Sequence, residues 1–142
     1  MNNKLIFGTL AGGAALFLVG GLLFAVLFSN LMEEWMKALE CCTYKEPVMW
    51  PIVVANLSLA FLMSLVMDKT RANSVNAGVI CALWFTPLVM LWYDMWMFAS
   101  FPAMNIKMLV IDVIGNSIPG VAAGAVIGWV YSRMHKPDTA SA

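Results

Sequence analysis

The side chains best placed for chemistry in this sequence of 142 residues lie where charge is least welcome. Asp112 and Asn116 stand four apart within the apolar run MLVIDVIGNSIPGVAAGAVIGWVY at 108–131. On a helix that spacing sets an acid and an amide on one face. Pro119 follows, and a proline inside a helix frees a backbone carbonyl. Asn56, in a second apolar run, adds another amide. Asp112, Asn116 and Asn56, with the carbonyls freed near Pro87 and Pro119, form a donor set suited to a proton or a small cation. An acid inside lipid costs about 2.5–3.5 kcal/mol on insertion scales, so Asp112 is expected to face protein or be paired. At 1.5 Å per residue it lies about 10 Å from the start of its helix, nearer the membrane surface than the midplane. Lys107 is five residues earlier, within reach of a flexible stem. The competing reading makes Asp112 a structural hydrogen-bonding group close to the headgroups. Asp94, set among Trp92, Tyr93 and Trp96, is expected to reach headgroups and water.

Other ligand types are sparse. Cys41 and Cys42 are adjacent, Cys81 is alone, and no zinc spacing is present. Met32, Met36, Met49, Met95, Met97, Met104 and Met108 gather on the side of Cys41 and Cys42, a soft set that favours Cu(I). Methionine is equally a filler of irregular apolar gaps. His135, the only histidine, stands in a polar tail beside Arg133 and Lys136. No catalytic triad, phosphate loop or haem-ligating pair is visible, so no enzymatic activity and no cofactor are expected. Acids and bases balance, and no basic patch suggests nucleic acid.

The elements that must position these residues are four apolar segments, 5–28, 48–67, 77–98 and 108–131. Hydrophobic residues make up 62% of the chain and charged ones 11%, too apolar for one soluble core of this size. Each segment approaches the roughly 20 residues that cross a bilayer. The expected fold is therefore all-α: a polytopic integral membrane protein, a single domain over 1–142, built as a four-transmembrane-helix bundle. The other helices are expected to assemble around the last. The first segment is too long for a signal-peptide core and reads as an uncleaved anchor. Its Gly8, Gly12 and Gly20 mark a packing face, because small residues let helix backbones approach. Gly120, Gly124 and Gly128 form a second row, expected to mate with the first.

Residues 30–41 have apolar positions at helical spacing and Trp35 among them, which predicts a short interfacial helix after the first span. Residues 132–142 form the tail. Asn56 is expected to hydrogen-bond a neighbouring helix, Asn73 or Ser74 to cap the third span, and Pro87 to kink it. With four spans, Lys4, Lys69, Arg71, Arg133 and Lys136 share one side. Lys37, Lys45 and Lys107 lie on the other, among Glu33, Glu34, Glu40, Glu46 and Asp94. The bias places both termini in the cytoplasm.

Short motifs run the length of the chain: Gly20-Gly21 before Leu27-Phe28 and Trp35-Met36, then Ala77-Gly78, Lys107 with Ile111-Asp112, and Gly124 to Gly128-Trp129. In these the sequence resembles a family of small four-helix bacterial inner-membrane proteins classed as a domain of unknown function. The resemblance implies a fold and a location in the bacterial inner membrane, and no activity. The expected function is non-enzymatic: a small membrane protein acting through helix packing, as a homo-oligomer or as an accessory subunit of another membrane protein. The alternative is a proton- or cation-coupled transporter or channel using Asp112, and a third reading is copper handling.

Overall fold

The computed structural model describes residues 3–30, 33, 37, 48–102 and 104–134. Most of the expected interfacial helix at 30–41, Cys41, Cys42 and the tail from 135 onward lie outside the described residues. Those described form four long helices and no strand. Helix α1 spans Asn3–Leu22 and continues as a π-helical turn, Leu23–Leu27. Helices α2, α3 and α4 span Met49–Lys69, Val75–Ser100 and Ile106–Met134. All four are long and apolar enough to cross a membrane.

Local chemistry sets the ends. Pro51 sits in the first turn of α2, where its missing N–H had no partner. The α2 C-terminus closes as a Schellman motif: Ala72 N donates to Met67 O at 2.9 Å and Arg71 N to Asp68 O at 3.3 Å. Arg71 takes the left-handed conformation, φ 56°, that this motif requires. Buried Ala72 and Met67 complete its apolar contact. Ser74, not Asn73, caps α3, its hydroxyl accepting from Ala77 N at 3.1 Å. The Asn105 side chain does the same for α4, accepting from Met108 N at 3.0 Å. Both Pro87 and Pro119 lie inside unbroken helices.

Helix α4 is the most buried and meets two neighbours through two rows at four-residue spacing. Pro119, Ala123, Ile127 and Tyr131 are buried, and three of them meet α1 antiparallel: Pro119 at Gly20, Ile127 at Gly12, Tyr131 at Gly8. Gly120, Gly124 and Gly128 face Thr86, Ala82 with Gly78, and Ser74. The glycine row of α4 thus mates with α3, not with the glycines of α1. Small residues on both partners bring the α3 and α4 backbones together, Gly78 lying against the Gly124 carbonyl. Helix α2 packs chiefly on α1, with Gly13 against Leu57 and Gly12 near Ala60.

The core is lopsided. Ala60, Met63, Met67, Ala82, Ala123, Ile127 and Tyr131 are fully buried, and all lie in the half of the bundle nearest the 70–74 turn. In the other half residues 48–55 of α2 are exposed throughout. At that end α2 is exposed, while Asp94 of α3 and Leu109 and Gly115 of α4 remain buried.

Candidate functional site

The α3–α4 register determines what meets at the end away from the 70–74 turn. From the Thr86–Gly120 contact, one turn outward along both helices sets Met90 opposite Asn116. One further turn sets Asp94 opposite Asp112. The two carboxyls lie within hydrogen-bonding reach of each other. Asp94 is 1% exposed, while its neighbours Trp92, Tyr93, Met95 and Trp96 all face outward. The expectation that Asp94 reaches headgroups and water is therefore wrong: its place in the row Gly78, Ala82, Thr86, Met90, Asp94 turns it into the seam. Asp112 is half-buried, and Asn116 Nδ2 donates to the Asp112 carbonyl oxygen at 3.1 Å.

Chemistry follows from this geometry. Two facing carboxylates repel, and carboxylates offer only acceptors. Asp94 Oδ2 is buried with no hydrogen-bond donor among the described residues. A proton shared between the carboxyls would supply that donor and remove one charge. Lys107 is exposed and makes no ion pair with Asp112.

Below the pair, all four helices line a cavity of about 330 Å³. Its walls include Leu16, Phe17 and Phe24 from α1, Ile52 and Asn56 from α2, Met90 from α3, and Asn116 from α4. Asn56 does not bridge helices as expected. Its Nδ2 donates to Ile52 O of its own helix at 2.8 Å, leaving the other end of the amide to the cavity. Asn56 and Asn116 thus share a cavity, while Asn56 stands apart from the acid pair. The π-helical turn after α1 ends with Phe28 N donating to Leu23 O at 3.2 Å. It holds Phe24 and Phe28 against Gly115, one turn from Asp112.

A second polar group ties the packed end. Lys4 Nζ lies 3.3 Å from Asp68 Oδ1, donates to Asn73 Oδ1, and sits 4.1 Å above the Tyr131 ring. Tyr131 Oη donates to Ser64 O at 2.8 Å. Residues from α1, α2, the 70–74 turn and α4 meet there. The sequence marks Lys4 as an entry charge and leaves this group unread, because its members are far apart in the chain. Two hydroxyls, Ser64 Oγ and Thr86 Oγ1, are buried without a partner among the described residues.

The fold and site together define an all-helical chain of four apolar helices with a buried acid pair in its central seam. The chain matches no family model, no curated protein and no solved structure.

Proposed function

We propose that this is a multi-pass protein of the bacterial inner membrane that moves protons by way of Asp94 and Asp112. The outward faces support the membrane reading: Leu18, Leu22, Trp92 and Ile106 are each about 70% exposed, at 68%, 69%, 71% and 69%. In water such faces would not remain single. Lys4 meets Asp68, Asn73 and Tyr131 at one end, so the N-terminus, the 70–74 turn and the end of α4 lie together. Their basic residues favour the cytoplasmic side.

One observation carries the proton reading. An acid at 1% exposure faces a second acid in a seam whose other members are glycine, alanine, serine, threonine, methionine and one asparagine. Packing alone has no use for a buried carboxyl, and an intramembrane acid is by default a functional hypothesis. The test is proton entry into proteoliposomes under an imposed pH gradient, followed with an internal pH dye. Asp94→Asn and Asp112→Asn keep the shape and remove the titrating group. Entry in both variants is expected to fall at least about a hundredfold, the lower end of what loss of one proton-transfer group costs. Rates equal to the parent in both variants would falsify the reading.

A second reading keeps the packing role, as a homo-oligomer or accessory subunit. It is supported by the outer half of α2, where Trp50 and Val54 are exposed among the described residues. Crosslinking in native membranes tests it. A monomer with no co-purifying partner would end it.

A further inference from the structure

We propose that the cavity lined by all four helices binds a small amphiphile with an apolar body and a hydrogen-bond-donating head, an organic ammonium ion, in competition with the proton on the acid pair. The proposal rests on the reading of Asp94 and Asp112 as the proton site. At about 330 Å³ the cavity falls at the lower end of the range for small-molecule sites. Leu16, Phe17, Phe24, Ile52 and Met90 give it an apolar, partly aromatic wall. Its polar groups are the two asparagines, and their orientation is fixed by chemistry. A backbone carbonyl can only accept, so the amide nitrogens must face Ile52 O and Asp112 O. Both asparagines line the cavity, and neither side-chain carbonyl oxygen accepts from another described residue.

A site with two unfilled acceptors favours donors and rejects carboxylates. An ammonium head has three donors and no acceptor. The two phenylalanine faces add a cation–π attraction. A hydrocarbon chain would leave both amide oxygens unpaired. The acid pair lies one helical turn, about 6 Å, beyond the Met90–Asn116 level. A positive charge at that distance disfavours the proton held there, so ammonium and proton compete.

The experiment measures binding of radiolabelled phenethylammonium to the full chain in lipid nanodiscs, with phenylacetate as competitor. Asn56→Leu and Asn116→Leu keep volume and remove the acceptor. Saturable binding is expected, weakened about tenfold or more in either variant, as loss of one charge-assisted hydrogen bond predicts. Phenylacetate is expected not to compete. Asn56→Asp, which turns the acceptor anionic, is expected to tighten binding, and a misfolded variant cannot do that. Equal binding in parent and both leucine variants, or competition by phenylacetate, overturns the proposal. Proton entry measured without amine reads the acid pair alone, and amine binding reads the cavity alone. Asparagine-dependent binding with unaltered proton entry in Asp94→Asn removes the proton reading and with it the competition. Normal proton dependence without amine binding removes the cavity assignment only.

Discussion

A single methyl group at Gly124 should separate the two helices that carry the acid pair. A Cβ built there would lie 2.5 Å from Ala82 Cβ and 2.6 Å from Gly78 O. Ordinary contact begins at 3.4 Å, so the shortfall is about 0.9 Å. Neither neighbour can rotate away, since one is an alanine methyl and the other a backbone carbonyl. The whole of α3 must move, and overpacking of this kind costs about 1–3 kcal/mol. Against it stands the gain of alanine over glycine within a helix, about 0.5–1 kcal/mol. Gly21 supplies the control, because a Cβ there meets nothing within 4 Å. Gly21→Ala receives the helix gain without the clash. The difference between the two variants therefore isolates the steric cost, and about 1–3 kcal/mol is expected. Gly120→Ala should cost a similar amount, because Thr86 Cβ itself lies 2.8 Å from the added methyl and no rotamer moves it. The assay is unfolding by SDS in mixed micelles, followed by tryptophan fluorescence. If Gly124→Ala proves as stable as Gly21→Ala, the α3–α4 contact is wrong, and the register that sets Asp94 against Asp112 falls with it.

The same unfolding assay reads four further substitutions. Tyr131→Phe removes the buried bond to Ser64 O and should cost about 0.5–1.5 kcal/mol, with the ring still beneath Lys4. Thr86→Val is near-isosteric and removes a buried hydroxyl that has no partner among the described residues, so it should stabilise, by about 1 kcal/mol. A loss of stability would mean that the hydroxyl has a partner in the membrane. Ser74→Ala deletes the α3 cap and should cost about 1 kcal/mol. Lys4→Met removes an ion pair whose side chains are 14% and 31% exposed, and should cost at most about 1 kcal/mol, less as salt rises.

The four long apolar helices were legible because their signal is local: apolar length, punctuated by proline, glycine and capping side chains. Ser74 could be named from its place before an apolar run. The partner of the α4 glycine row could not, because a glycine on one helix specifies close approach without specifying to what. Two glycine rows invited a pairing between themselves. The actual mate is a mixed row, Gly78, Ala82 and Thr86, in which a single glycine lies among other small residues. The inner group of Lys4, Asp68, Asn73 and Tyr131 was hidden for the same reason. Each member is unremarkable alone, and only the fold brings them together.

Asp94 is the more instructive miss, because its signal was present. Read along the chain, it stands in an aromatic belt, where an acid has an ordinary role at the membrane surface. Read at a spacing of four, it ends the series Gly78, Ala82, Thr86, Met90, Asp94. Across the turn at Phe101-Pro102 another series begins with Asp112 and runs through Asn116, Gly120, Gly124 and Gly128. Two helices joined by a short turn pack antiparallel, so residues equally far from the turn meet. Asp94 and Asp112 are each six residues from the helix end that faces that turn, Ser100 and Ile106. The small residues bring the backbones close along one length of the seam, and continuity of both helices carries that register outward to the acids. Position in the hairpin, rather than neighbouring residue type, decides that Asp94 is buried. The functional question therefore concerns a pair of carboxyls and not one.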